Sequence, residues 1–210
     1  MPNIDKACTN ITDTELGIEV TTATVRRVLP HEYPKYRTHL KALDPESRTL
    51  RFGGPITDYV IDRFCDTLEA NTDKHVLFAI ENRKLEFVAI GHIALQDGME
   101  LAFSVLKRHQ RRGFGNLLIQ RCIQYCRVRG ILKGCMVFVS TNDAIRHLCN
   151  KHGISVKNDH GESLAEIIFD PAGMDTLIGE TIDNNMSTLD WISKRAMLPL
   201  IKLRHQLTIQ

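Results

Sequence analysis

The stretch of sequence that decides the fold runs from residue 101 to residue 118 and reads Leu101-Ala102-Phe103-Ser104-Val105-Leu106-Lys107-Arg108-His109-Gln110-Arg111-Arg112-Gly113-Phe114-Gly115-Asn116-Leu117-Leu118. It predicts a β-strand, then a cationic loop, then a helix whose first turn carries two glycines. At such a junction several backbone N–H groups and the positive end of the helix dipole face one point. The pattern therefore favours a phosphate site, with the glycines admitting the ligand and the loop arginines adding charge.

Two common phosphate motifs do not fit this stretch. A dinucleotide fingerprint needs a third glycine three residues after Gly115, where Leu118 stands. The sequence also contains no Gly-Lys-Ser/Thr of an ATP- or GTP-binding P-loop. Dinucleotide and nucleoside triphosphate sites are therefore disfavoured, and the remaining alternative to a phosphate site is an ordinary glycine-containing strand-to-helix turn.

The segments on either side predict the rest of the architecture. Upstream, the spacing of β-branched and other apolar residues predicts a strand near 21–28, helices over 34–43 and 56–68, and strands over 75–81, 85–95 and 100–106. Downstream, they predict a helix over 113–129, a strand over 136–139, a helix over 143–151 and a strand over 164–169. This order predicts an α/β (α+β) fold with a mixed, mostly antiparallel central sheet and helices on both faces.

Composition excludes several classes of protein. The 210 residues are 43% apolar and 25% charged, and 27 basic against 25 acidic side chains give a net charge of +2, so we do not expect nucleic acid as a partner. No apolar run approaches the roughly 20 residues that cross a bilayer. The acidic first 19 residues do not resemble a secretory signal, so we expect a cytoplasmic location. The six cysteines form no C-x-x-C pair and are expected to be reduced thiols.

The C-terminal segment separates its charges. Residues 157–190 are strongly acidic, whereas residues 191–210 are basic and carry no acid. A capping-box-like Ser187-Thr188-Leu189-Asp190 predicts the start of an amphipathic helix, kinked or restarted at Pro199. Its apolar stripe is expected to pack on the parent domain or on a second copy, with membrane-surface or nucleic-acid binding as the alternatives. The predicted organisation is a polar lead over 1–20, one domain over 21–170 and a helical extension over 171–210.

Four segments resemble one known family. Gln110-Arg111-Arg112-Gly113-Phe114-Gly115 resembles the Q/R-x-x-G-x-G/A acetyl-CoA loop of the GCN5-related N-acetyltransferases (GNAT), and residues 100–105 resemble the strand before that loop. Residues 142–154 are similar to the second motif of the family, an Asn that opens a helix. Residues 43–52 resemble a segment found in the acetyltransferase domain of bacterial protein-lysine acetylases and their uncharacterised relatives. The resemblance covers residues 21–169.

This resemblance implies a reaction and a set of site residues. It implies acetyl-CoA as co-substrate and direct transfer of the acetyl group to a primary amine of a protein lysine or a small molecule. Glu100 would be the general base. Cys149 stands where many members hold a tyrosine general acid, and it would either protonate the leaving thiolate or simply fill the core. The implied cofactor-binding residues are Phe103, Ser104, Val105, Gln110, Arg111, Arg112, Gly113, Phe114, Gly115, Asn116 and Asn142.

Other interpretations stay open from the residues alone. Asn142 could cap its helix rather than contact the cofactor. His147, Cys149 and His152 invite a metal interpretation, but their spacing does not follow the i, i+4 pattern of helical zinc pairs, so we expect no metal site. The main alternative to an enzyme is a non-catalytic acyl-CoA-binding sensor that acts through its C-terminal helix.

Overall fold

A computed structural model of the chain describes residues 23–96 and 98–207, with side chains described as far as residue 199. The predicted polar lead over 1–20, Cys8, the first two residues of the predicted first strand and Asp97 lie outside the described residues. So do the side chains of Lys202 and Arg204 in the basic segment.

A seven-stranded sheet forms the centre of the fold, in the order β1-β2-β3-β4-β5-β7-β6. The strands are β1 (Val25–Arg27), β2 (His75–Glu81), β3 (Phe87–Ala94), β4 (Glu100–Val105), β5 (Lys133–Val139), β6 (Ser155–Asp159) and β7 (Glu162–Ile168). All neighbouring pairs are antiparallel except β4 and β5, which run parallel. The predicted mixed, mostly antiparallel sheet is confirmed, and β5 begins three residues earlier than expected.

Helices cover both faces of this sheet, as predicted. They are α1 (Tyr33–Lys41), α2 (Pro45–Phe52), α3 (Asp58–Ala70), α4 (Phe114–Val128), α5 (Asp143–Lys151) and α6 (Met174–Leu207). One core cluster joins α1 and α3 to the sheet through Tyr36, Leu40 and Leu68, all essentially inaccessible to solvent. A second cluster joins α4 to the opposite face through Leu118 and Cys122. Burial of these apolar side chains is the main force that holds the layers together.

Helix α2 was not predicted, because Asp44-Pro45 was interpreted only as the stop of the preceding helix. The same two residues also start the next one. The carboxylate of Asp44 accepts a hydrogen bond from the Ser47 amide at 3.2 Å, and Pro45 occupies the first helical position, where its missing N–H has no cost. Gly53 ends α2 with a φ of 80°. The resulting turns of helix bring Arg51 over the sheet.

Helix α6 corrects two expectations. It begins at Met174 rather than at Ser187, whose hydroxyl instead donates to the carbonyl of Asn184 within the helix, and it continues through Pro199 without a break. Of the two partners expected for its apolar stripe, the parent domain and a second copy, the parent domain does not cover the stripe. Leu189 and Ile192 are 62% and 51% exposed.

The contacts of α6 with its own domain are polar. Glu180 pairs with Arg129 of the domain at 2.8 Å, and Asn184 accepts a hydrogen bond from Arg121 at 2.5 Å. Lys194 is buried and donates to the carbonyl of Glu81 at 3.2 Å. Charge-assisted hydrogen bonds of this kind hold the helix in place without use of its apolar face.

Strands β4 and β5 touch at one point and then separate. Their register contains a single residue pair, Glu100 with Cys135, supported by a hydrogen bond from the Cys135 amide to the carbonyl of Met99 at 2.8 Å. On its other edge β5 pairs with β7 over seven residues. One edge of β4 is therefore left without a strand partner beyond Glu100.

Gly134 permits the close approach at this contact point. A Cβ atom at residue 134 would lie 2.5 Å from the backbone oxygen of Met99, which cannot move aside without displacing the strand. We expect Gly134→Ala to lower the free energy of unfolding by about 1–3 kcal/mol, as forced overpacking does. Urea denaturation measures this loss. The matched control is Gly54→Ala, because an added Cβ at residue 54 meets no atom within 4 Å. A loss of more than about 1 kcal/mol of unfolding free energy in this control would contradict the steric explanation.

Candidate active site

The divergence of β4 from β5 opens a cleft. Its walls are Leu101, Ala102 and Phe103 of β4, Met136, Val137 and Phe138 of β5, Leu50 and Arg51 of α2, and Asn142 and Ile145 at the start of α5. Along β4 the residues alternate between turning their backbone N–H and C=O groups to β3 and turning them to the cleft. The cleft therefore offers backbone hydrogen bonds to an extended ligand.

The loop that follows β4 ends in a helix start with unused donors. Gly113 is the N-cap residue of α4 and has a φ of 78°, in the left-handed region that glycine adopts without strain. The amide N–H groups of residues 113–116 donate to no backbone or side-chain acceptor among the described residues. Together with the helix dipole, they are the kind of donors that the predicted anion site would require.

Several predicted loop and strand residues use their side chains for structure. The side chain of Gln110 donates to the carbonyl of Val105 and to the Ser47 hydroxyl, both at 3.1 Å, and so braces the loop. The Ser104 hydroxyl lies 2.9 Å from Nε2 of buried His39, on the α1 side of the sheet. Phe114 is buried and its ring stacks on His109. In these residues the backbone is the part available to a ligand.

Gly115 and Asn116 have further local roles. A Cβ atom on Gly115 would lie 3.0 Å from Cδ1 of Leu148, so this glycine allows α4 to pack closely on α5. The amide oxygen of Asn116 lies 3.0 Å from Nε2 of His152 at the end of α5. Arg111 has a φ of 59°, which is uncommon for a residue with a side chain and marks the sharp turn before the helix.

Asn142 caps α5, as one of its two interpretations predicted. Its side-chain oxygen accepts a hydrogen bond from the Ile145 amide at 3.2 Å, and the residue is 6% exposed. Because it also lines the cleft, capping and a cofactor contact do not exclude one another.

A larger cavity of about 490 Å³ adjoins the cleft at the start of β4. Glu100 and Cys135, the single paired residues of β4 and β5, form one side of it, and its other lining residues include Arg51, Phe64, His75, His92 and Gln96. Arg51 lines both this cavity and the cleft. A molecule in the cavity thus meets a ligand in the cleft near the contact point of the two strands.

A chain of polar side chains runs along the cavity wall. Arg51 lies 3.3 Å from Nδ1 of His92, and Nε2 of His92 lies 3.0 Å from Nδ1 of His75. Burial, followed by the positive charge of Arg51, holds the pKa of His92 well below its usual range, and burial also lowers the pKa of His75. Both imidazoles are therefore neutral at neutral pH.

The contact with Arg51 constrains how His92 carries its proton. A guanidinium only donates, so Nδ1 of His92 accepts and its proton resides on Nε2, which faces Nδ1 of His75. Nε2 of His75 lies 3.4 Å from the side-chain amide nitrogen of Gln96, which also only donates. The cavity wall therefore presents two neutral imidazoles beside one fixed positive charge.

Sequence reasoning missed Arg51, His75 and His92. A usable indication was present for His92, which interrupts an otherwise apolar run in a strand whose residues are almost all buried. A buried polar side chain needs a partner, and that partner is often a functional group. For Arg51 the only indication was its place in the segment 43–52 that resembles part of the protein-lysine acetylases.

Comparison with known proteins assigns the family. The model of the acetyltransferase (GNAT) family matches residues 40–154, which is more than half of the chain and contains the cleft, the loop and α5. The chain belongs to the GNAT acetyltransferase family. Among curated protein sequences, none matches this GNAT protein.

Solved structures share its fold. The GNAT domain of PAT from S. lividans superposes with a TM-score of 0.58 at 21% identity, covering 71% of this chain and 92% of that domain. PaiA N-acetyltransferase from Thermoplasma acidophilum, solved in complex with coenzyme A, gives a TM-score of 0.54 at 11% identity over 71% of this chain and all of its own. Spermidine N-acetyltransferase from Vibrio cholerae, in complex with CoA and spermine, gives a TM-score of 0.53 at 13% identity. This match covers 70% of the present chain and 94% of that chain. At these identities the similarity establishes the fold of this GNAT protein.

Cys149 lies in α5 with 0% of its surface exposed and belongs to the core cluster beneath α4. Burial raises the pKa of its thiol to about 11, so the thiol stays protonated at neutral pH. It lines neither the cleft nor the larger cavity.

Among the residues that the structure describes, no group of three or more His, Cys, Asp and Glu side chains is arranged to hold a metal ion. No helix in the described part of the chain is long and apolar enough to cross a membrane.

Proposed function

We propose that this GNAT protein is an acetyl-CoA-dependent N-acetyltransferase that moves the acetyl group to a primary amine. The observation that carries the proposal is the open edge of β4, which leads from the cavity containing Glu100 to the unused amide donors of residues 113–116. The six residues of β4 span about 17 Å. An extended ligand with a reactive group at one end and phosphates at the other fits this layout.

The residues present fit the proposed co-substrate at both ends. The amide groups of residues 113–116 would hold its pyrophosphate, with Gln110, Arg111 and Arg112 shaping and charging the loop. The backbone of Phe103, Ser104 and Val105 would pair with the pantetheine arm as a neighbouring strand does. Acetyl-CoA would supply an acetyl thioester: the neutral amine attacks its carbonyl carbon, the C–S bond breaks as the amide C–N bond forms, and the leaving CoA thiolate takes up the proton that the nitrogen releases.

Glu100 has the role of general base in this proposal. An amine of the lysine type has a reference pKa near 10.4 and is protonated at neutral pH, so it must lose a proton before its nitrogen can attack. The exposed carboxylate of Glu100 lies in the cavity wall at the contact point of the strands and receives that proton, directly or through a water molecule. Backbone N–H groups of β4 that face the cleft stabilise the negative charge that develops on the carbonyl oxygen.

The experiment that tests the function is an assay of CoA release from acetyl-CoA against panels of amines and protein lysates, with mass spectrometry of the products. Amine-dependent CoA release with an acetylated product supports the proposal. Tight binding of acetyl-CoA without turnover on any amine would instead identify a sensor.

Cys149 provides a separate prediction. Because its thiol is fully buried and lines neither cavity, we expect Cys149→Ala to lower the free energy of unfolding by about 1–2 kcal/mol and to leave kcat within about twofold. Urea denaturation and steady-state kinetics measure the two effects. A drop in kcat of more than about tenfold at unchanged KM for acetyl-CoA would assign the thiol the general-acid role that the family resemblance implies.

A further inference from the structure

Arg51 holds a positive charge that the protein itself leaves incompletely satisfied. Within the part of the chain that the structure describes, its buried Nε atom has no hydrogen-bond partner, and its terminal nitrogen donates to the Tyr36 hydroxyl at 3.2 Å and to neutral His92. Among the described side chains no carboxylate forms an ion pair with it, although Glu100 lines the same cavity. Its guanidinium stacks on Phe52 and Phe64, which hold its plane in position.

A partly desolvated guanidinium is most stable beside a carboxylate, which accepts two parallel hydrogen bonds from it. The surroundings of Arg51 favour such a ligand over a second cation, because the two imidazoles of the wall are neutral and cannot compensate a positive charge. The cavity thus combines a fixed cation at Arg51 with a carboxylate at Glu100. Charges arranged in this way complement a molecule that carries an amine and an acid.

Resting on the proposed function, we propose that the amine acceptor carries a carboxylate close to its primary amine, as a free amino acid does, and that Arg51 binds this carboxylate. The position of Arg51 supports a short spacer, since Arg51 lines both the cavity and the cleft in which the thioester is expected. A carboxylate at Arg51 then leaves the neighbouring amine at the junction with the cleft, on the side of Glu100.

The test compares each of the common amino acids with its decarboxylated amine, for example leucine with isoamylamine and phenylalanine with phenethylamine. Wild-type protein is expected to prefer the acid by roughly 10- to 100-fold in kcat/KM, the range of a hydrogen-bonded charge pair. In Arg51→Gln this preference falls to near one. The matched control Arg63→Gln removes an exposed arginine of α3 that lines neither cavity and keeps the preference.

A second readout separates this inference from the proposed function. Thermal unfolding of the CoA-loaded protein is measured with and without amino acids, for the wild type and for Arg51→Gln. One outcome is that amino acids stabilise the wild type but not Arg51→Gln, and that the wild type shows no turnover. This outcome supports the acid-binding cavity and contradicts the proposed acetyltransferase function. Turnover with equal use of acids and amines, or an acid preference that survives in Arg51→Gln, overturns the inference and leaves the function standing. If the protein shows neither turnover nor stabilisation by amino acids, the inference and the proposed function are both overturned.

An independent observation concerns the outer face of α6. Its inward face is polar, with Thr176, Glu180, Ser187 and Lys194 buried at helical spacing. The opposite face carries eight large apolar side chains that are 41–73% exposed, among them Ile178, Ile182, Leu189 and Ile192. Together they expose on the order of 800 Å², which is what one partner contributes to a stable protein interface of standard size. An apolar patch of this extent marks an interaction site.

We infer that a second copy of the chain covers this face, with the two α6 helices antiparallel. The exposed charges Asp175 and Asp183 lie in the first half of the helix, whereas exposed Arg195 lies in the second and the sequence continues with further basic residues. An antiparallel copy brings acidic halves opposite basic halves. The acidic half does not suit an anionic membrane surface, to which amphipathic helices present basic residues.

Sedimentation velocity of the full chain at micromolar concentration tests this arrangement. The wild type is expected at twice the mass of one chain. Leu189→Glu and, separately, Ile182→Glu shift it to the monomer with unchanged helical circular dichroism, while Tyr59→Glu, at a 71% exposed position on α3, stays dimeric. The inference is overturned if the wild type is monomeric, or if dimers persist in both helix variants. A monomeric wild type that binds anionic vesicles would point to a membrane surface as the partner of this face instead.

Discussion

Replacement of Glu100 by Gln is expected to lower kcat for amine acetylation about a hundredfold to ten-thousandfold, the usual contribution of a positioned general base. Glutamine has the same shape as glutamate but cannot accept the proton that the ammonium must lose. The affinity for CoA is expected to stay unchanged, because Glu100 lies at the end of β4 opposite the phosphate loop. Steady-state kinetics give kcat, and calorimetric titration with CoA gives the affinity.

The pH dependence of the Glu100→Gln deficit separates base catalysis from a structural effect. Without a base, turnover depends on the fraction of amine that is already neutral, which rises tenfold per pH unit up to the amine pKa. The deficit should therefore shrink steadily as pH rises towards about 10. Glu162→Gln, an exposed carboxylate at the start of β7, is the matched control. Activity of Glu100→Gln within twofold of wild type would remove Glu100 from the mechanism.

Replacement of Gly113 by Asp is expected to weaken binding of CoA and acetyl-CoA by at least about 100-fold, since like charges brought together cost several kcal/mol. Residue 113 is the N-cap of α4, so a carboxylate there competes for the amide donors of residues 113–116 and repels phosphate. Asp and Asn adopt the left-handed backbone of Gly113 more readily than other residues with side chains, so the fold is expected to persist. Calorimetric titration measures the loss.

Gly113→Asn is the matched control because it has the same size without the charge. It should bind CoA at least tenfold more tightly than Gly113→Asp, and the gap should narrow at high salt, where the repulsion is screened. Equal affinities for the two variants would mean that the helix start does not hold the phosphates. Thermal unfolding of both variants without ligand verifies that neither has lost its structure.

The sequence predicted the sheet and the strand–loop–helix junction because both depend on local patterns. Strands β2 and β3 are apolar runs bounded by turn residues, and a loop with Gly113 before an apolar helical pattern indicates an anion site by itself. The larger cavity could not be predicted in this way. Arg51 reaches His92 only because α2 lies over β4, and that placement depends on packing between segments far apart in the chain.

Helix α6 shows a different limit of sequence analysis. The spacing of Leu189 and Ile192 predicts an apolar stripe, and such a stripe on a helix usually faces the core of its own domain. In the structure the pairing of Glu180 with Arg129 and the hydrogen bond of Asn184 with Arg121 fix the opposite orientation. Periodicity identifies which residues share a face, but it does not identify which face the rest of the protein contacts.

The single residue pair between β4 and β5 has a consequence for how folding and binding are linked. The sheet is two antiparallel blocks, β1 to β4 and β5 to β7, that share one point of backbone pairing. The proposed co-substrate, bound in this gap, would supply backbone-type hydrogen bonds that β4 lacks there, and it would need both blocks to be correctly placed. Its concentration would then add to the free energy of unfolding, as RT ln(1 + [L]/Kd). Occupancy of the gap would become part of what keeps the two blocks of the sheet together.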